Sequence, residues 1–298
     1  DPRNAERIFP YIGGEEVNSS PTHSHHRYVI NFGEMKEEEA RDYPDLMAIV
    51  EEKVKPARLV QKREIRARYW WRFGETTPAL FKAIAPLDRV LVCALTSQHL
   101  SFIFISSNNV FSHSLGIIAL PTYSTFTLLQ SRIHEIWARF FGSSLEDRLR
   151  YTPSDCFETF PFPEDWETNP ILETIGKEYY EHRAQLMQRN QKGLTDTYNR
   201  FHDPDETDED ILHLRELHQQ MDRAVLDAYG WTDIAPECQF LLDYQEEEET
   251  SSKRKKPWRY RWDEDVHDEV LARLLELNQE RYDEEMRLGK KAGKKGKS

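Results

Sequence analysis

Short apolar runs alternate with polar breaks through the first half of the chain. "RYVINF" (27–32), "DRVLVCAL" (88–95), "SFIFIS" (101–106) and "LGIIAL" (115–120) are rich in β-branched and aromatic residues, which predicts strands. "TSQH" and "SSNN" punctuate them, so the two middle runs predict a hairpin and "SSNNVFSHS" a loop beyond it. Two helices are predicted among these strands. Leu46, Ile49, Val50 and Val54 fall at helical spacing within 35–54, and Pro56 marks the end. Phe126, Leu129, Ile133, Trp137 and Phe140 keep the same rhythm across 126–141, with Gly142 as the stop.

At "CFETFPFPEDW" (156–166) the texture changes. Two prolines two apart forbid both helix and central strand, so an extended aromatic strap is expected between two halves. Beyond it the periodicity is helical. Leu172, Ile175, Tyr179 and Leu186 share one face of a first helix. Ile211, Leu214, His218, Met221, Val225 and Ala228 stripe a second, started by Thr207 and stopped at Gly230. "NQKGLTDTYNRFHDPDETDED" reads as a loop between them, and Val266, Val270, Leu274 and Leu277 mark a third helix. The runs "EEEETSSKRKK" and "GKKAGKKGKS" are low in complexity and expected to be disordered. The fold class expected is therefore an α/β (α+β) domain over 1–163, an all-α helical domain over 164–245, and a charged linker, amphipathic helix and basic tail over 246–298.

Charge sharpens this division. The chain carries a formal net charge of -13. Residues 1–163 hold 19 Lys and Arg against 20 Asp and Glu, and the remainder holds 21 against 33. The acidity belongs to the C-terminal half and does not oppose an anionic partner for the first half, which responds to the local field. Cys93, Cys156 and Cys238 are widely spaced without a CxxC pair, which points to a reducing compartment and against a zinc ribbon or disulfide framework. No apolar run approaches the roughly 18 residues of a membrane span, and "DPRNAERIFPY" lacks the apolar core of a signal peptide. A cytoplasmic location is expected. The absence of an opening Met suits a fragment or a processed piece.

Catalytic signatures are sparse. GxGxxG after a strand, GxxxxGK[ST] and GxSxG are absent, and only 12 glycines are available for a phosphate cradle. "PDLMAIVEEKVK" offers Asp45, Glu51 and Lys53 in a nuclease-like order. On one helix, however, six residues put the two acids about 120° apart around the axis, unsuited to converging on one Mg²⁺. "THSHH" (22–26) reads as a polar loop rather than a metal site. His213 and His218, five apart, read as interface or core residues.

The strongest local signal is "VKPARLVQKREIRARYWWRFG" (54–74). From Lys53 to Arg72 eight cations face one acid, Glu64, a net of +7. The stretch fits a solvated helix face above core aromatics. It equally fits a strip for nucleic acid, because Arg forks suit phosphate and guanine and merely soluble surfaces mix signs. Trp70 and Trp71 would then anchor the strip to the fold or stack on an exposed base.

The succession "RIFPYIGGEEVNSSP", "RYVINFGEM", "VKPAR", "YWWRFG", "SFIFIS", "LQSRIHEIWARFFGS" and "LRYTPSDCFETFPFP" resembles the target-recognition part of type IIG restriction–modification enzymes. It is similar also to that of adenine-specific (N6) DNA methyltransferases of phage-defence systems. "IGKEYYEHRAQLMQRNQKGLTDTYNRFHDP" and "LRELHQQMDRAVLDAYGW" resemble the segment that follows it in the same families. The resemblance implies a specificity element for double-stranded DNA, working with a methyltransferase domain or subunit that binds S-adenosylmethionine and flips adenine. This chain lacks both the cofactor glycine motif and the Asn-Pro-Pro-aromatic tetrapeptide, so no cofactor and no catalytic residue is assigned to it. The resemblance places Arg58, Lys62, Arg63, Arg66, Arg68 and Arg72 on phosphates. It places Gln98, His99, Asn108, Asn109 and His113 near base edges, although turn chemistry explains the Asn pair equally well. Two other readings remain: a helical protein–protein adaptor of a DNA-modifying complex, and a standalone nuclease.

Overall fold

The computed structural model describes residues 1–145, 148–242 and 258–295. The chain opens with strand β1 (Ile8–Ile12), the one-turn helix α1 (Gly14–Asn18) and β2 (Tyr28–Ile30). A run of short helices follows: α2 (Glu37–Ala40), α3 (Pro44–Lys53), α4 (Lys55–Leu59), α5 (Glu64–Arg68) and α6 (Pro78–Ile84). The single helix expected over 35–54 is thus two, because Pro44 cannot continue a helix and instead starts α3 at its first turn.

Strands β3 (Arg89–Ala94), β4 (Thr96–Ser97), β5 (Phe102–Ser106), β6 (Val110–Phe111) and β7 (Leu115–Ile118) come next. The expected hairpin is present: β3 and β5 pair antiparallel from Arg89↔Ser106 to Cys93↔Phe102. With β7 on the other side of β3, they form a sheet of order β5-β3-β7. The expected loop "SSNNVFSHS" contains β6, which pairs parallel with β1 in a second sheet of order β2-β1-β6. Helices α7 (Tyr123–Gln130) and α8 (Arg132–Phe141) replace one predicted helix. Ser131 breaks it with an extended backbone (ψ 158°) and caps α8 by accepting from the His134 N–H. Strands β8 (Ser143–Leu145) and β9 (Arg148–Arg150) join β4 in a third sheet, and α9 (Pro153–Cys156) leads into the strap. There Phe157, Phe160, Phe162 and Trp166 pack ring on ring.

The second half contains α10 (Pro170–Asn190), α11 (Leu194–Phe201), α12 (Glu209–Ala228), the hairpin β10 (Cys238–Leu242) with β11 (Trp258–Trp262), and α13 (Glu264–Lys295). Two expectations change here. The predicted loop contains α11, whose Leu194, Tyr198 and Phe201 are buried at helical spacing. Helix α13 also extends into the basic tail expected to be disordered. The run 246–256 lies outside the described residues.

One apolar core runs from Ile12 through strands of every sheet and the helices to Leu274. Helices α7 and α10 cross so closely that a Cβ on Gly176 would lie 2.0 Å from Thr127 Oγ1 and 2.6 Å from the Tyr123 carbonyl oxygen. Only glycine fits that crossing. Polar ties cross the same boundary. Arg132 at the start of α8 is buried, and its Nη1 donates to Asp222 Oδ2 of α12 at 2.6 Å, while its backbone N–H donates to Oδ1 at 2.9 Å. Burial pushes the Asp222 carboxyl up to about 6 even against the pull of Arg132. Asp222→Ala strands a buried guanidinium, and an unpaired buried charge of this kind costs about 3–5 kcal/mol. Denaturant unfolding should register that loss, whereas a loss below about 1 kcal/mol would place Arg132 in water.

Candidate nucleic-acid interface

A second, smaller core lies apart from the first. It gathers Phe32, Ala40, Tyr43, Leu46, Met47, Val50, Trp70 and Trp71. Both indoles are buried, and the Trp71 ring N–H donates to the Met35 carbonyl at 2.9 Å. They anchor the cationic stretch to the fold and are not free to stack on a base. Arg72, expected on phosphate, is turned to the same task. Its Nε donates to the Met35 carbonyl at 2.8 Å and its Nη2 to the Glu34 carbonyl at 2.6 Å, with Tyr69 and Trp71 against its guanidinium. At the other end Lys55 pairs with Glu51 at 3.0 Å and sits 4.3 Å over the Trp70 ring.

Between these clamps the cations stand outward. Lys62, Arg63 and Arg68 are exposed, and Arg58 and Arg66 are half-exposed. None of the five forms an ion pair with a carboxylate among the described residues. Arg58 and Arg66 converge beside Gly74: a Cβ there would lie 3.0 Å from Arg66 Nε and 3.2 Å from Arg58 Nη1. Two guanidiniums crowded together without an acid repel each other, and an anion bridging them relieves that repulsion. Leu59, Val60 and Ile65 are exposed among the cations, Val60 by 83%. Surfaces kept only for solubility do not combine bare apolar side chains with single-sign charge.

The expected base-edge residues divide. Asn108 is exposed at the tip of the β5–β6 turn and His113 on the loop after β6. Gln98 is half-buried, its carbonyl accepting from Arg259. Asn109 is buried, its amide donating to the Ser106 carbonyl at 2.8 Å, which is turn chemistry. His99 is also buried. Its Nε2 lies 2.9 Å from Asn199 Oδ1, its Nδ1 faces Arg259 Nη1 at 3.0 Å, and His202 stacks on it. Those distant partners take both ring nitrogens away from any base.

Other candidates are scattered. Asp45 accepts from Asn4, while Glu51 is shared by Arg41 and Lys55, so the two acids serve different partners. His23, His25 and His26 go to the Glu16 carbonyl, the Tyr28 ring and the Glu16 carboxylate respectively. His218 is buried against the Tyr179 hydroxyl, whereas His213 is exposed beside Glu216. Among the described residues no three His, Cys, Asp or Glu side chains are grouped to hold a metal, and no helix is long and apolar enough to cross a membrane. Sequence reasoning missed the buried carboxylate Glu16, although the spacing from Gly13 to Glu16 is that of a helix-capping box.

Burial lowers the His99 pKa to about 4, helped by Arg259, and burial alone lowers that of His134 to about 3. These rings are neutral in the folded protein and protonate near 6.5 when unfolded. The unfolded chain therefore binds more protons below pH 6.5, and stability falls as pH drops through that value toward 4. His99 alone should account for about 3 kcal/mol at pH 4. Urea midpoints measured between pH 7 and 4 should fall accordingly, and a flat series would mean that these histidines are accessible to water.

Comparison with known proteins gives the family and the fold. The family model described as "MmeI, target recognition domain" matches residues 1–164. The solved structure of the type IIL restriction–modification enzyme MmeI in complex with DNA shares the fold. It has a TM-score of 0.59 at 21% identity, covering 94% of this chain and 32% of that one. The chain spans about a third of that enzyme's length. No curated protein matches it.

Proposed function

The chain belongs to the family of the MmeI target recognition domain, and from that premise we propose that it binds duplex DNA as the sequence-reading portion of a restriction–modification enzyme. The observation that carries this reading is the row of outward cations with no carboxylate partner among the described residues, Arg58, Lys62, Arg63, Arg66 and Arg68, held on its own core by Trp70 and Trp71. Phosphate neutralisation supplies affinity there, and Asn108, His113 and Gln98 are the expected side chains nearest to base edges.

The finer reading rests on the family resemblance. The chain positions DNA for an adenine-N6 methyltransferase domain of the type IIG organisation, in a cytoplasmic phage-defence enzyme that uses S-adenosylmethionine. The methyl-transfer chemistry belongs to that other domain, because the residues here include neither its glycine motif nor its catalytic tetrapeptide.

Binding of a labelled duplex, followed by fluorescence anisotropy over a salt series, tests the DNA reading. Log affinity should fall linearly with log salt. Replacing Arg63, Arg66 and Arg68 together by Ala should make the slope shallower by about 0.9 for each phosphate no longer neutralised. A slope unchanged by the triple substitution overturns the assignment of the strip.

A further inference from the structure

The turn between β1 and α1 holds a charged arrangement that the phosphate strip does not use. Glu16 is 1% exposed. Its Oε2 accepts from the Gly13 N–H at 2.9 Å, and its Oε1 lies 3.0 Å from His26 Nδ1 and 3.4 Å from Arg27 Nε. Oε1 has no hydrogen-bond partner of good geometry, so these two neighbours are what keep a buried carboxylate tolerable. The Arg27 side chain is half-exposed, its guanidinium 4.8 Å from the Tyr11 ring centroid. A Cβ on Gly13 would lie 3.2 Å from Arg27 Nη2 and 3.7 Å from Ser112 Cβ. The glycine thus leaves space for the guanidinium, and the loop carrying His113 meets the turn at the same place. That loop is tied there by the Ser112 N–H donating to the Ile12 carbonyl at 2.8 Å. His26 and Tyr28 are exposed alongside.

Arg27 is therefore drawn toward Glu16 at its Nε and lies beside the Tyr11 ring, while its Nη1 and Nη2 have no protein acceptor among the described residues. A cation meant for phosphate works best with its charge undiminished, as in Arg58 and Arg66. An arginine offset by a buried carboxylate contributes less net charge. What it retains is a pair of donors whose direction the carboxylate and the ring bias, the feature that matches O6 and N7 of guanine in the major groove. We infer that Arg27, positioned by Glu16 over Gly13, is a base-reading residue for a guanine in the recognised duplex, beside His113. This rests on the DNA-binding reading above.

The test is selection of bound duplexes from a randomised pool by the unsubstituted chain and by Arg27→Ala, Arg27→Lys and Glu16→Gln, each first shown to be folded by circular dichroism. The unsubstituted chain should enrich a guanine column that goes flat in Arg27→Ala and weakens in Arg27→Lys and Glu16→Gln, with the other columns kept. Substituting 7-deazaguanine in that column, which removes the N7 acceptor, should cost the unsubstituted chain about five- to 150-fold in affinity and Arg27→Ala little. Columns unchanged in Arg27→Ala overturn the inference. If the salt slope then becomes shallower by about 0.9, Arg27 touches phosphate; if nothing changes, the Glu16 pair only closes the turn. An unsubstituted chain that binds no duplex removes the DNA reading and this inference together, whereas binding with columns insensitive to Arg27 removes only the inference.

Discussion

Arg183 of α10 carries its charge into the interior with no carboxylate beside it among the described residues. Its Nη1 donates to Gln130 Oε1 at 3.0 Å and to the Tyr198 hydroxyl at 2.8 Å, and its Nη2 donates to the Phe102 carbonyl at 2.6 Å. The rings of Phe126, Tyr179 and Tyr180 surround the guanidinium. Desolvating a cation costs several kcal/mol, and only this full set of acceptors and ring faces offsets it. The same atoms tie α10 to the start of β5, the end of α7 and the middle of α11. Gln130 closes the circuit by accepting from the Phe102 N–H at 3.0 Å. The strand that leads to the exposed Asn108 turn cannot shift against the helices without breaking this network. The turn that carries Asn108 in the first half is therefore held by the second half.

Cations are treated in two ways in this protein. Inside, Arg132 has Asp222, Arg183 has its oxygens and rings, and Arg215 is spent on the carbonyls of Phe201 and Asp203. Along the strip from Arg58 to Arg68 they have no carboxylate partner among the described residues. Self-repulsion there would splay a flexible segment, and the small core around Trp70 and Trp71 supplies the resistance. The carboxylates behind the net charge of -13 lie mostly in the C-terminal half, so the strip keeps its local field although the whole molecule repels polyanions.

How much of this was legible in sequence varied with how local the cause was. The β3–β5 hairpin and the buried stripes of α10 and α12 follow from residues a few positions apart, and periodicity found them. The break at Ser131 was hidden because Leu129 and Ile133 keep a four-residue step straight across it. Helix α11 was hidden by its polar composition, although Leu194, Tyr198 and Phe201 carry a helical interval. The hairpin of β10 and β11 went unread, yet "WRYRW" alternates aromatic and cation with the period of a strand. His99 was not legible at all. Its partners Asn199 and Arg259 are 100 and 160 residues away, and no local pattern distinguishes a histidine that will be buried by them. Asn108 and Asn109 show the limit within one turn, where adjacent identical residues point one outward and one inward.

On the proposed DNA reading, a division among arginines would combine affinity with choice. Attraction to phosphate depends on charge and is nearly indifferent to sequence, so unpaired guanidiniums alone would hold every duplex equally. Discrimination needs donors whose direction is set before the duplex arrives, because a fork free to rotate would adapt to a wrong base. Setting that direction takes a partner, and a carboxylate partner cancels the charge that attraction needs. One arginine cannot serve both ends fully. The proposed roles fit that separation: Arg58 and Arg66 lie beside Gly74 with no carboxylate paired to them among the described residues, while Arg27 lies within ion-pair range of the buried Glu16 carboxylate beside Gly13.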